Sequence, residues 1–156
     1  MSRVREKRTL GGGTRESELE LIEQADEALT EIKELAEEGV PILVEGKRDA
    51  EALKRLGVKG TILELSTRGQ MLNFLESLKF ERVLILTDFD TKGEELALFC
   101  SEHLIRLGVE PILEPYQKLR KLRKRFKEVE SLVKLRTVLE RIKWKDQETR
   151  NWRGVQ

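Results

Sequence analysis

At 156 residues, with 38% hydrophobic and 38% charged side chains and a net charge of +1, the chain is long enough to bury the core of one ordinary domain without disulfides. No stretch approaches the ~20 apolar residues of a bilayer span, and "MSRVREKRTLGGG" lacks the apolar centre of a signal peptide, so no membrane partner and a cytoplasmic location are expected. The lone Cys100, beside Leu98 and Phe99, cannot form an internal bridge and reads as a small buried hydrophobe, which suits a reducing compartment.

The near-zero total hides an asymmetry. Residues 1–10 carry 4 Lys/Arg against 1 acid and residues 116–156 carry 14 against 5, while residues 11–115 carry 12 against 23. An acidic body with basic ends is the pattern of ends that meet nucleic acid, or the body of a second subunit. High charge, few Asn and Gln and the single His103 lean toward a thermophile's composition.

In chain order, the glycines at 11–13 read as a flexible joint. Ser17 and Glu20 then have capping-box spacing ahead of Ile22, Ala25, Leu29, Ile32 and Ala36, which recur every three to four residues and predict an amphipathic helix ending near Gly39. "ILVEG" after Pro41 predicts a buried strand, and "KRDAEALKRLG" a helix closed by Gly57. "TILELS" is a second strand, followed by a helix over "TRGQMLNFLESL", with Thr67 and Gln70 at capping-box spacing. "RVLILTD" is the strongest strand, "GEELALFCSEHLIRLG" its helix, and "VEPILEP" a fourth, shorter strand. Strands alternating with helices imply right-handed crossovers and a parallel sheet covered on both faces. From Tyr116 onward, Leu119, Leu122, Phe126, Val129 and Val133 keep a helical spacing within dense Lys and Arg, predicting one long basic helix to about Ile142. The remaining "KWKDQETRNWRGVQ" has no period and reads as irregular.

Ligands of open α/β sheets gather at the carboxyl ends of the strands, where this chain puts Glu45, Asp88 and Asp90. Asp88 and Asp90 fall on one side of an extended chain, and two carboxylates that close repel unless a cation or proton sits between them. Oxygen donors in an incomplete shell suit Mg²⁺ or Mn²⁺ better than Zn²⁺. A plainer reading makes both aspartates N-caps of the helix that follows.

Two stretches carry a family resemblance. "LVEGKRDAEAL" at 43–53 and "TDFDTKGEEL" at 87–96 resemble the EGxxD and DxDxxG motifs of the Toprim domain, shared by topoisomerases, bacterial primases and the nuclease that matures 5S ribosomal RNA. The likeness covers roughly residues 40–115 and looks closest to the small stand-alone Toprim proteins of archaea, next to the RNA-maturation nuclease. It implies a Toprim-type, Rossmann-like α/β fold: a four-stranded parallel sheet flanked by helices, with an N-terminal helix and a long basic C-terminal helix. The chain then divides into a basic arm (1–14), a Toprim domain with its preceding helix (15–115) and a basic helical extension (116–156).

By the same resemblance, Glu45, Asp88 and Asp90 are the catalytic and metal-holding residues, with one or two Mg²⁺ or Mn²⁺ ions per subunit. Gly46 and Gly93 permit tight turns, and Asp49 supports the Glu45 loop. Lys47, Arg48, Arg68 and Lys92 fall on the strand-end side, where they could grip phosphate or neutralise the acidic rim. Topoisomerases carry a further acid where this chain has Lys92, and Tyr116 reads as capping the sheet rather than as a strand-passage nucleophile. The chain also lacks a primase's zinc- and helicase-binding parts. Trp144 and Trp152 could stack on unpaired bases or anchor the tail. Two functions follow: a Mg²⁺-dependent phosphodiesterase on structured RNA or DNA, or a non-catalytic metal- and nucleic-acid-binding module associated with RNA or ribonucleoprotein. The unpaired apolar helix faces could close within one chain or in a homodimer.

Overall fold

The computed structural model describes residues 2–65 and 71–155. Four short strands, β1 (Ile42–Val44), β2 (Ile62–Glu64), β3 (Arg82–Ile85) and β4 (Glu110–Ile112), form one sheet in the order β2-β1-β3-β4. Every pairing is parallel, with Ile42 opposite both Ile62 and Leu84. The two central strands are the most apolar ones, as burial on both faces demands: Ile42, Leu43, Val44, Val83, Leu84 and Ile85 are fully enclosed.

The helices are α1 (Ser2–Glu37), α2 (Lys47–Arg55), α3 (Met71–Ser77), α4 (Thr91–Arg106), α5 (Glu114–Arg120) and α6 (Leu132–Val155), with a single 3₁₀ turn at Val129–Ser131. Each strand-to-strand step is made through a helix, as the alternating pattern predicted. α3 packs against α4, whereas α1 packs against α5 and α6, and α2 against α6 and the 3₁₀ turn. The apolar stripe read from the sequence is the buried face of α1: Ile22, Ala25, Leu29, Ile32 and Ala36 all lie in the core.

Three expectations change. α1 reaches back to Ser2, so the glycines at 11–13 lie within a helix instead of forming a joint; glycine weakens helix propensity without forbidding the conformation. The basic run is not one helix from Tyr116 to Ile142. α5 stops at Arg120, the chain turns through 121–128, and α6 begins at Leu132. Backbone bonds to the end of β3 hold the turn, the Phe89 N–H donating to the Lys127 carbonyl at 2.7 Å. The third change is at the tail, which stays helical to Val155 where the sequence read as irregular.

Leu119, Leu122, Phe126, Val129, Leu132, Leu135 and Leu139 are all buried, so residues beyond Tyr116 complete the same core as the sheet. Cys100 is fully buried, and burial pushes its thiol up to about 12, which leaves it inert.

The strand order fixes the place of the site. From β1 the chain steps outward to β2, and from β3 it steps outward the other way to β4, so the connections diverge between β1 and β3. That divergence opens a crevice at the carboxyl ends of those two strands. Leu43→Ala, at the enclosed centre of β1, should cost about 2–5 kcal/mol in urea unfolding. Leu98→Ala, on the exposed side of α4, should stay within about 0.5 kcal/mol; equal effects would contradict this placement of the core.

Candidate functional site

Glu45 follows β1 and Asp88 follows β3 by three residues, and the crevice brings them together: the Asp88 N–H donates to Glu45 Oε2 at 2.7 Å. Asp90 caps α4, its Oδ1 accepting from the Gly93 N–H at 2.7 Å. The plain helix-cap reading therefore describes Asp90 and does not describe Asp88. Between the two aspartates Phe89 is fully buried against the Tyr116 ring, 5.7 Å between centroids, which leaves Asp88 half-buried and Asp90 exposed.

Gly93 is required by contact. A Cβ there would stand 1.9 Å from the Asp88 carbonyl oxygen, far inside any tolerable approach. Its own carbonyl accepts from the buried Thr87 hydroxyl at 2.7 Å, tying the first turn of α4 to the end of β3. Gly46 sits at the N-cap of α2, where its N–H donates to Asp49 Oδ2 at 3.1 Å. Asp49 thus holds the loop that carries Glu45. Lys47 and Arg48 are exposed in the first turn of α2, and Lys92 in that of α4. Arg68 lies outside the described residues, as do Thr67 and Gln70. Trp144 is exposed on α6, and nothing is described of the Trp152 side chain.

Several contributors were not legible as such in the sequence. The buried Tyr116 donates its hydroxyl to the Asp88 carbonyl at 2.7 Å, and the Val129 N–H donates to Asp88 Oδ1 at 3.1 Å. Glu128 is bracketed by Lys127 and Val129, both bonded to the Asp88–Phe89 backbone or carboxylate. The charge reversal from "RKRFK" to "EVE" was the only trace of this return.

Burial is the main cause that pushes the Asp88 carboxyl from an ordinary 3.8 up to about 7, against the opposing hydrogen bond from Val129; the charges of Asp49, Glu45 and Glu128 add to the rise. Asp49 is shifted the same way, again by burial first, and Glu45, Glu130 and Glu128 raise it further. Burial also raises the Tyr116 phenol, so it remains a protonated donor.

The donor set is all oxygen, without His or Cys, which suits a hard cation such as Mg²⁺. The charge that Asp88 resists carrying is the one a divalent cation would stabilise. Among the described residues no three Asp, Glu, His or Cys side chains converge into a ready-made shell. A partial set of carboxylates matches an ion that keeps several of its waters.

Fold and acidic rim together define an α/β domain of the Toprim type. The chain belongs to the Toprim domain family, whose sequence profile matches residues 40–129 and so takes in the turn that returns to Asp88. It is 42% identical over 114 residues to a UPF0292 protein of Methanosarcina acetivorans, covering 71% of this chain and 78% of that one. A UPF0292 protein of Archaeoglobus fulgidus is 36% identical over 107 residues, covering 68% and 84%. A solved structure of a protein from Aquifex aeolicus superposes with a TM-score of 0.57 at 30% identity, covering 68% of this chain and 95% of that one. Membership brings a metal-binding, nucleic-acid-related class of function. No helix among the described residues is long and apolar enough to cross a membrane.

Two outcomes test this geometry. Gly93→Ala should destabilise the fold and disturb the Asp88 carbonyl, read as lost backbone amide dispersion near residues 87–93; a variant as stable as wild type would contradict the close approach. The second concerns pH. Between an unfolded value near 3.8 and a folded value of about 7, the native Asp88 holds a proton that the unfolded chain has released. Its contribution to stability therefore falls as pH rises through that window. In metal-free buffer Asp88→Asn should melt above wild type at pH 8 and alongside it near pH 4, and added Mg²⁺ should close the gap at pH 8 by stabilising wild type. An offset independent of pH would contradict the assignment.

Proposed function

We propose that this protein is a Mg²⁺-dependent phosphodiesterase acting on structured RNA or DNA. The observation that carries the reading is the meeting of Glu45 and Asp88 at the β1/β3 crevice of a Toprim fold, with Asp90 two residues beyond Asp88. Glu45, Asp88 and Asp90 would hold the ion; each gives one oxygen to a backbone N–H and keeps the other. When bound, Mg²⁺ supplies polarisation of the phosphodiester and charge neutralisation at the leaving oxygen.

The remaining work falls to the chain. Without an ion, burial disfavours the Asp88 charge, and a cation held there would keep the carboxylate ionised as its ligand. Glu45 fixes the Asp88 backbone, and Tyr116 and Val129 fix its carbonyl and carboxylate, so the group is positioned before substrate arrives. Residues 118–127 carry seven Lys and Arg and no acid, and their last member is bonded to Phe89. This basic segment borders the acidic rim, where Lys47, Arg48 and Lys92 are also exposed, and would grip the phosphates on either side of the bond to be cut. Arg68 belongs to the same proposed set by its place in the sequence.

A second reading has its own support. The absence of three converging carboxylates among the described residues also fits a module that binds metal and nucleic acid without turnover. One experiment separates the two: Mg²⁺ and Mn²⁺ titration of wild type and Asp88→Asn, followed by a cleavage assay on labelled structured RNAs and DNAs. The phosphodiesterase reading expects metal-dependent cleavage by wild type, a fall of about 10²-fold or more in the variant, and nucleic-acid binding nearly unchanged. Metal binding without cleavage would assign the binding module. Full cleavage by the variant would overturn the site.

A further inference from the structure

A second concavity adjoins the acidic crevice. Its volume is about 310 Å³, it lies between α4 and the end of α5, and Tyr116 belongs to both, lining the cavity while its hydroxyl reaches the Asp88 carbonyl. The floor is aliphatic, built from Leu98 and Leu113, and Leu98 is 52% exposed, a large apolar side chain left open on a charge-rich surface. The rim carries Arg120, Lys121 and Arg123. One acid, Glu94, faces them and is paired to Arg120 at 2.7 Å, so the rim keeps an excess of two positive charges. Lys121 also touches the Gln24 amide oxygen at 3.3 Å.

The Arg120 guanidinium is ion-paired to Glu94, and its Nε–H, buried away from solvent, has no hydrogen-bond partner among the described residues.

The two halves of the cavity ask for different chemistry on one molecule. A bare phosphate would use the rim and leave the aliphatic floor wet, and an apolar ligand would leave the cations idle. A nucleotide satisfies both, because a flat heteroaromatic base covers aliphatic surface while its phosphate meets guanidinium and ammonium groups. The volume lies at the low end for small-molecule sites, about the size for a single nucleotide unit.

We propose that the cavity between α4 and α5 holds one unpaired nucleotide, its base on Leu98 and Leu113 and its phosphate on Arg120 and Arg123. The inference rests on the proposed function in one respect, that a nucleic-acid strand at the acidic crevice delivers the nucleotide. It then narrows the substrate class to strands with an unpaired segment next to the bond to be cut.

The test is a binding measurement on the full chain in EDTA, where metal-dependent cleavage cannot interfere. The probes are a fluorescent RNA hairpin with a blunt end, the same hairpin with a short single-stranded overhang, and AMP and inorganic phosphate as competitors. The overhang should tighten binding by about tenfold, the effect of seating one base. Leu98→Ser, at an exposed position outside the basic segment, should erase that advantage and leave the blunt hairpin's affinity unchanged, whereas Arg123→Gln should erase it and weaken both hairpins. AMP should compete at lower concentration than phosphate. A preference for the overhang over AMP assigns the pocket to a strand, and the reverse assigns it to a free nucleotide.

Equal binding of the two hairpins with no competition by AMP would overturn the proposal, as would equal potency of AMP and phosphate or an unchanged overhang advantage in Leu98→Ser. Cleavage by wild type in Mg²⁺ is scored separately, so failure of the pocket and failure of the phosphodiesterase reading give different results.

Discussion

Asp88, three residues past β3, has its polar groups already committed: its N–H to Glu45, its carbonyl to the Tyr116 hydroxyl, and one carboxylate oxygen to the Val129 N–H. Those three partners come from the end of β1, from α5 and from the 3₁₀ turn before α6. The neighbouring Phe89 N–H is taken by Lys127. A strand end in a parallel sheet normally leaves such groups to water or ligand, whereas here the C-terminal part of the chain folds back to satisfy them. The crevice between β1 and β3 therefore depends on the extension for its shape as much as on the sheet.

That clamp has an electrostatic consequence. Glu128 and Glu130 arrive with the same turn that delivers Val129, adding negative charge to a rim that Glu45 and Asp49 already make acidic. The seven cations of 118–127 arrive just before them. Positive and negative groups are thus laid side by side along one edge of the sheet, with Arg120 bonded to Glu94 across the boundary. A polyanion approaching this edge meets attraction on one side and, without a cation in the crevice, repulsion on the other. Metal binding and nucleic-acid binding at such an edge reinforce each other, since neutralising the rim removes the repulsive half.

The strands and helices of the Toprim core were legible because their patterns are local: Ile42 to Val44 and Val83 to Leu86 are continuous apolar runs, and α1, α2 and α4 bury one face each at helical spacing. Glu45, Asp88 and Asp90 could be placed at strand ends by the same means, and Asp49 and Gly93 by the motifs around them. What the local pattern could not carry was the return of the chain after Arg120. Leu119, Leu122, Phe126 and Val129 are spaced as on a helix and are all buried, yet they are buried by a helix end, a turn and a 3₁₀ turn in succession. Helical spacing reports which side chains face inward, and a turn pressed against a core can satisfy it too. The choice between them was made by hydrogen bonds to residues some forty positions earlier, which no window of sequence contains. Tyr116 was read as a cap on the sheet, and what stayed hidden was its hydroxyl aimed at one main-chain carbonyl.

The same return constrains how function can be dissected. Residues beyond Tyr116 bury seven apolar side chains in the common core, among them Leu119, Phe126 and Leu135, besides carrying the cations. Removing the extension would expose the sheet and unclamp Asp88 together, so loss of nucleic-acid binding in a truncated chain would report on folding as readily as on charge. The exposed side chains of the turn, Arg123, Lys124 and Lys127, are separable from that packing, because their charge faces solvent while the neighbouring Leu122 and Phe126 face inward. Buried apolar and exposed basic side chains alternate along this segment, and only substitutions confined to its outer face can separate its packing from the recognition proposed for it.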